Sequence, residues 1–426
     1  MLDIKFIREN KDLVREAARK KHIAFDVDIL IGEDDNRRAL MTEVEEMRAK
    51  QNEASQQIAS TADPSERAHH ISLMKELKEE LQKKEEALRG IVQKWQKLML
   101  AVPNIPDISV PEGQYDAENK ELHTWGEPRK FDFLAKDHVS LMTELDMVDF
   151  ERGVKVAGFR GYFLKNDGIL LSLALWRYAL DLLIGEGFTP MLVPSHVRKE
   201  PLLGTGYLPQ GKDDLYMTQD GTYFAGTGEV GAMGYFMDEV ILKEKLPLRI
   251  AAFSPCFRRE AGSHGKDTHG LMRVHEFFKV EQVVLVEANH RDSVEWHEKL
   301  LENAEKLMQG LELPYRVVVN CGGDLGLGQV KKYDVEAWVP SEATYRETHS
   351  DSYFHDFQTR RFNIRYRDDD GSLRFVHSLN NTALATPRLL VSLVENLQEP
   401  DGSIRIPPKL AQYFGKDKIV RGGTSQ

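Results

Sequence analysis

Arg258 and Arg273 stand near the two ends of a polar loop, residues 261–270, between apolar-patterned segments, with carboxylates beside them at Glu260 and Glu281. This pattern predicts a strand-loop-strand hairpin. Two guanidinium groups so placed can clamp a polyphosphate, and the carboxylates can take an ammonium or amino group. Phe277 adds an aromatic face on which a base can stack. The same residues would also suit an ordinary charged hairpin with Phe277 in the core, so the hairpin alone leaves both readings open.

Other segments add to it. Arg388 follows Thr386-Pro387 at the start of an apolar helix, with Thr386 as candidate cap and Pro387 at the first position. A cation there opposes the helix dipole, which a bound anion would offset. Thr227-Gly228-Glu229 and the run from Tyr345 to Ser350 bring hydroxyls and carboxylates together. A pair such as Glu281 and Glu347 can recognise an ammonium or hold Mg²⁺ between phosphates, while surface salt bridging is the plainer alternative. Gly206 to Lys212 fits G-x-x-x-x-G-K, but Asp213 replaces the Ser or Thr that would hold magnesium and Pro209 removes a donor, so a lid or entry loop is expected rather than a phosphate loop.

The elements that must position these groups follow from periodicity. Residues 1–35 read as one or two short helices. Over 36–98, Leu40, Val44, Met47, Ala54 and Ile58, then Ile71, Met74, Leu77, Leu81, Leu88, Ile91, Trp95 and Leu98, form one narrow stripe on each side of Asp63-Pro64-Ser65. This predicts a projecting arm of two long antiparallel helices in a coiled coil. Val102-Pro103-Asn104-Ile105-Pro106 ends it, and a linker is expected over 106–122. Beyond, helices are expected at 168–187, 229–243, 289–310 and 384–397. Strands are expected at 188–193, 248–257, 273–286, 315–320, 333–339, 361–367 and 373–378. The class is α+β, a mainly antiparallel sheet with helices on it.

Composition sets bounds. A net charge of −11 argues against indiscriminate nucleic-acid wrapping. Residues 36–99, however, carry twelve Lys and Arg against eleven Asp and Glu, so the acidity lies elsewhere. That balance suits a nucleic-acid contact, a spacer or a dimerisation helix alike. Two cysteines, Cys256 and Cys321, cannot build a four-cysteine zinc site and are expected as free thiols. With no apolar signal core or run of eighteen apolar residues, no membrane partner and a cytoplasmic location are expected.

Together the motifs resemble those of the bacterial-type seryl-tRNA synthetases, which are class II aminoacyl-tRNA synthetases. Gly187 to Pro194 resembles motif 1, Phe257 to Glu281 motif 2, and Leu379 to Arg388 with the following helix motif 3; Thr227-Gly228-Glu229 resembles the T-x-E serine segment. The resemblance runs the whole chain. It implies an N-terminal tRNA-binding domain over 1–105, its arm at about 36–99, and a class II catalytic domain over 123–426.

The resemblance also implies roles. Arg258 would hold the α-phosphate and the substrate carboxylate. Glu260 lies on the adenine side, Phe277 stacks on the ring, Val274 is a further ATP contact, and Arg273 and Arg388 meet the γ-phosphate, with Arg388 against the other adenine face. Glu347 and Ser350 resemble Mg²⁺ ligands. Thr227, Glu229, Glu281, Asn380 and Thr382 resemble the L-serine pocket, Glu281 and Thr382 reading the hydroxyl. The implied chemistry is ATP-dependent formation of seryl-adenylate with Mg²⁺, catalysed through Arg258, Arg273, Glu281 and Arg388, then transfer to tRNA(Ser) and, where present, tRNA(Sec). The implied assembly is a homodimer in which one subunit's arm serves the other's site. Zinc is not expected, since the T-x-E match departs from the zinc-using variant. Gly228, Asp351, Tyr353, Asn381, Ala383, Thr386, Pro387 and Arg259 depart from the common pattern. A ligase for a carrier protein, which would lack the arm, and an inactive tRNA-binding paralogue, which would lack Arg258, Glu281 or Arg388, are the alternatives.

Overall fold

A computed structural model describes residues 1–262, 265 and 267–422. It divides into one unit of residues 1–19 and 23–103 and a second of residues 20–22 and 104–426.

The first unit is helical. After two short helices, Ile4–Glu9 and Lys11–Lys20, come α1 (Val27–Ser60) and α2 (Pro64–Ala101). Asp63 caps α2 by accepting from the Ser65 and Glu66 amides at 2.7 and 3.0 Å, with Pro64 in the first turn. Val44, Met47 and Leu81, flanked by Leu77 and Leu88, fill the seam between the two helices. Arg48 pairs with Glu85 at 2.7 Å and Lys84 with Glu43 at 2.5 Å across it. The first long helix starts at Val27, nine residues before the expected arm, because its base is itself buried: Val27, Leu30 and Ile31 are in the interior, and Asp34 pairs with Arg8 and Arg37.

The second unit is built on an eight-stranded sheet: β1 (Lys120–Trp125), β2 (Thr189–Leu192), β3 (Leu248–Phe257), β4 (Glu276–Val286), β5 (Tyr315–Val319), β6 (Lys331–Val339), β7 (Thr344–His355) and β8 (His377–Thr386). Their spatial order is β1-β5-β6-β7-β8-β4-β3-β2, antiparallel throughout except for the parallel β2–β3 pair at one edge. Helices α3 (His138–Glu144), α4 (Asp167–Gly185), α5 (Glu229–Tyr235), α6 (His290–Gly310) and α7 (Arg388–Asn396) complete the frame. Leu171, Leu175 and Leu183 of α4, Leu300 and Leu307 of α6, and Leu390 and Val394 of α7 share one core with Val280, Val284, Val335 and Leu384 of the sheet. Helix α4 is long and apolar enough to cross a membrane by length and composition, but it carries Asp167, Arg177 and Asp181 and one face belongs to this core.

Several elements differ from expectation. Strand β1 begins inside the stretch expected to be linker. The helix expected from 229 to 243 stops at Tyr235, and the one expected from 384 starts only at Arg388, because residues 377–386 pair as β8 with β4 and β7. Leu379, Ala383, Leu384, Leu389 and Leu390 form one buried apolar run, and periodicity cannot tell where the strand ends and the helix begins. The strand expected at 361–367 is a short helix, Phe357–Phe362, followed by a strand of three residues, Arg365–Arg367. The long β7 was not expected as a strand.

Candidate active site

Strands β3 and β4 form the expected hairpin. Its mouth is closed by Arg258, whose amide donates to the His275 carbonyl at 3.0 Å, and by His275 Nδ1, 2.9 Å from the Arg258 carbonyl. Residues 263, 264 and 266 of the expected loop lie outside the described residues. The hairpin opens onto a cavity of about 440 Å³ lined also by β7, β8, the start of α5, the start of α7 and the loop 326–329. All the residues expected in the site line it.

The strands deliver them by alternation and two bulges. On β4, Phe277, Lys279 and Glu281 point to the cavity at every second residue. On β8, Asn380 and Thr382 do the same. Ala383 is then an extra residue against β4, where Val280 pairs with Leu384 and Glu281 with Thr382, so the cavity-facing parity shifts to Ala385. A second bulge at Thr348 places both Glu347 and Ser350 on the cavity wall, although they are an odd number of residues apart. Without it, alternation would turn one of them to the opposite face.

The cavity has two chemically distinct ends. At one, Thr227, Glu229, Lys279, Glu281, Asn380 and Thr382 are all buried. Glu281 and Thr382 are cross-strand partners. Lys279 Nζ lies 2.5 Å from Glu281 Oε2, close enough for an ion pair but misaligned for a hydrogen bond, and 3.5 Å from Thr382 Oγ1. Glu229 accepts from Gln358 Nε2 at 2.6 Å, and Tyr207 OH reaches its other oxygen at 3.5 Å. Burial pushes the Glu229 carboxyl up to about 7; Gln358 opposes the shift, and Glu281 adds to it. Two carboxylates against one lysine leave this end short of a cation.

At the other end three arginines converge. Arg258 donates through Nε to the Gly226 carbonyl at 3.3 Å, and its guanidinium carbon lies 5.3 Å from the Phe277 ring centroid. Arg273 is held by Glu260 at 2.7 Å and Asp267 at 3.2 Å. Arg388 Nε donates to the Met272 carbonyl at 3.2 Å and Nη1 to the Glu347 carbonyl at 2.8 Å. The pKa of Arg388 is lowered, first by burial, with Glu347 opposing and Arg258 and Arg273 lowering it further. Mutually repelling guanidinium groups in a concave site are an anion receptor. Val274 lines the same end.

Arg388 lies in the first turn of α7, as expected, but as its first residue, the position expected for Pro387. Thr386 is not its cap: Pro387 occupies that position without a side-chain bond, and the Thr386 hydroxyl instead accepts from Trp176 Nε1 at 2.8 Å. Gly206, Tyr207, Gln210 and Gly211 of the rejected G-x-x-x-x-G-K match are part of the cavity wall, following a helix that ends at Thr205 and leading only into a three-residue 3₁₀ turn, Lys212–Asp214. Asp351 and Tyr353 do not line the cavity. Asp351 is buried beneath α6, where the His297 ring lies 3.1 Å from its carbonyl, and Tyr353 OH donates to Asp107. Sequence reasoning missed Lys279, Gln358 and Tyr207. Lys279 had a signal, its two-residue offset from both Phe277 and Glu281; the other two reach the site from separate segments, with no spacing to reveal them.

An eight-stranded, largely antiparallel sheet carrying an arginine hairpin and a late arginine-headed helix over one cavity defines a class II aminoacyl-tRNA synthetase core. Residues 216–397 match the tRNA synthetase class II core domain (G, H, P, S and T), and residues 1–106 match the seryl-tRNA synthetase N-terminal domain. The serine–tRNA ligase of Deinococcus radiodurans is 46% identical over 99% of both chains, and that of Rubrobacter xylanophilus is 41% identical over 98% of this chain and 99% of its own. The ATP-complexed seryl-tRNA synthetase of Pyrococcus horikoshii superposes with a TM-score of 0.89 at 37% identity, covering 99% of this chain and all of the other. The chain belongs to the seryl-tRNA synthetase family.

Proposed function

We propose that this protein activates L-serine with ATP and transfers the seryl group to the terminal adenosine of tRNA(Ser), and of tRNA(Sec) where that tRNA exists. The observation that carries this reading is the joining, in one cavity, of an arginine-lined anion receptor to a small acidic pocket. The serine carboxylate attacks the α-phosphorus and pyrophosphate leaves. A carboxylate is already a nucleophile, so orientation and charge stabilisation suffice. Arg258, whose charge acts on Tyr207 beside the acidic pocket as well as on Arg388, spans the reacting carboxylate and phosphate. Arg388 and Arg273 meet the departing phosphates, and a phosphate reaching Arg273 shares it with Glu260 and Asp267. The adenine stacks by Phe277, beside Glu260 and Val274. Glu347 and Ser350 are hard oxygen donors on the phosphate side of the cavity and fit a magnesium ion held mainly by phosphates and water. Bound with ATP, Mg²⁺ would neutralise phosphate charge there.

Glu229 and Thr227 take the serine ammonium with Asn380. Glu281 and Thr382 take its hydroxyl, and alanine would leave them unpaired. Serine-dependent pyrophosphate exchange followed by tRNA charging tests the whole reading. Exchange without charging would sink it in favour of a different acceptor, and absence of both would point to a non-catalytic tRNA-binding protein.

Because Glu229 titrates near 7 rather than near 4.5, its carboxyl is protonated in the free protein below that pH. Binding an ammonium requires the ionised form, so serine binding expels a proton. The apparent Kd for serine is expected to be about tenfold higher at pH 6 than its high-pH limit. Calorimetry in buffers of different ionisation enthalpy reads the proton directly; a profile flat from pH 6 to 8 would rule out this role.

A homodimer is supported by the outer face of α4, where Ile169, Leu170, Leu173 and Ile184 are exposed, with Leu192 of β2 exposed at 77%. Leu170→Glu with Leu173→Glu is expected to give a monomer in analytical ultracentrifugation. An unchanged sedimentation coefficient would place the interface elsewhere.

A further inference from the structure

Away from the cavity lies a buried acid-imidazole pair. His138, at the start of α3, is 8% exposed, and Glu395, in α7, is 0% exposed. His138 Nδ1 lies 2.8 Å from Glu395 Oε1, which also accepts the His138 amide at 2.9 Å, while Glu395 Oε2 accepts the Ser341 amide at 3.0 Å. The other ring nitrogen, Nε2, lies 3.1 Å from the Leu271 amide nitrogen. A backbone amide can only donate, so Nε2 must be an unprotonated acceptor. Nδ1 then carries the proton and donates it to the carboxylate. Glu395 thus fixes the tautomer that lets His138 hold the chain at Leu271. Gly270 lies against the ring: at its φ of +82°, an added Cβ would fall 2.2 Å from Nε2.

Leu271 begins the return limb of the arginine hairpin. The next residue, Met272, presents the carbonyl that receives Arg388 Nε at 3.2 Å, and the one after is Arg273. Arg388 and Glu395 are the first and eighth residues of α7, two turns apart and so on one face of the helix. The same helix therefore supplies an arginine and, through Glu395 and His138, anchors the backbone on which that arginine rests. An apolar ring at position 138 would fill the space equally well but would leave the Leu271 amide buried without a partner.

We propose that His138, oriented by Glu395, is a positioning residue for the activation step, holding Leu271 to Arg273 in register with Arg388 so that the two arginines meet the nucleotide phosphates together. This rests on the reading above that Arg273 and Arg388 bind ATP.

Two variants separate its bonds. His138→Asn keeps a donor near the Nδ1 position for Glu395 and loses the acceptor for Leu271. His138→Gln places an amide oxygen near the Nε2 position and restores it. In pyrophosphate exchange by the full-length protein, His138→Asn is expected to raise KM for ATP about tenfold with KM for serine unchanged, and His138→Gln to return it to within about threefold of the parent. Equal effects of the two variants, or parallel rises in both KM values, would show a merely structural histidine. Should His138→Asn not fold, nitrogen-15 spectra of the unmodified protein still decide: a proton on Nδ1 alone is required, and a proton on Nε2 overturns the proposal. Arg388→Ala serves as the control. If it leaves KM for ATP unchanged, the underlying assignment of the phosphate site fails; if it raises that KM while His138→Asn does not, only the role of His138 fails.

Discussion

Arg258→Ala is expected to reduce serine-dependent pyrophosphate exchange by about 10³-fold or more, mostly in kcat, with the protein still folded. The size follows from position. Removing one preorganised donor from a site of developing charge typically costs about 10²–10³ in rate, and an arginine on a transferring phosphoryl group about 10³–10⁵. Arg258 lies at the anion end but its charge acts toward both: with Glu229 and Glu281 it bears on Tyr207, and with Arg273 on Arg388. Burial works against its charge, while Tyr207, Cys256, Glu260 and Glu347 together hold its pKa above the usual value. Its loss takes a neighbouring cation from the carboxylates Glu260 and Glu347, so the nucleotide meets a more negative cavity as well as a missing donor. Folding should survive, because β3 ends at Phe257 and the cross-strand pairing to β4 does not involve the Arg258 side chain. Arg258→Lys should restore little, since an ammonium cannot span two oxyanions as a planar fork does. A loss in exchange of less than tenfold would remove Arg258 from the reacting centre.

The site was legible because its chemistry is written in short segments. Arg258 and Glu260, Phe277 and Glu281, Thr227 and Glu229, and Glu347 and Ser350 each lie a few residues apart, and charge beside an apolar strand pattern marks them. What the sequence could not display is how β7 and β8 shift parity. The bulges at Thr348 and Ala383 are invisible to a period-two count, yet they alone let Glu347 face the same cavity as Ser350, and Thr382 the same cavity as Ala385. Gln358 and Tyr207 were invisible for another reason: their place beside Glu229 is set by tertiary contact across more than a hundred residues in one case and about twenty in the other. Element boundaries failed where burial is continuous. From Leu379 to Leu397 the apolar residues are buried on both sides of the strand-to-helix junction, so neither period dominates. The long arm was the reverse case. A narrow stripe repeated over many turns admits little else than paired helices, and Asp63 with Pro64 marks where the second begins.

Removing residues 40–98, with a short Gly-Ser turn in their place, is expected to leave pyrophosphate exchange within about threefold of the parent while lowering kcat/KM for tRNA by about 10²–10³. The first half of that expectation rests on where the cores lie. The seam of the arm, Val44, Met47 and Leu81, is its own cluster, and the core beneath the cavity draws only on residues from Leu141 onward. Deleting one therefore opens no cavity in the other. The second half rests on charge. The protein carries −11 overall, yet residues 36–99 are close to neutral, with twelve basic side chains spread along two helices of 34 and 38 residues. An acidic enzyme that must hold a polyanion needs such a region, and losing several phosphate contacts at once weakens binding by orders of magnitude at moderate salt. The salt dependence of tRNA binding separates this from a loss of fold: the shortened protein should show a shallower slope of log Kd against log salt, because fewer counterions are released. Charging that survives the deletion, or a slope that does not change, would mean that the paired helices serve some purpose other than gripping the tRNA.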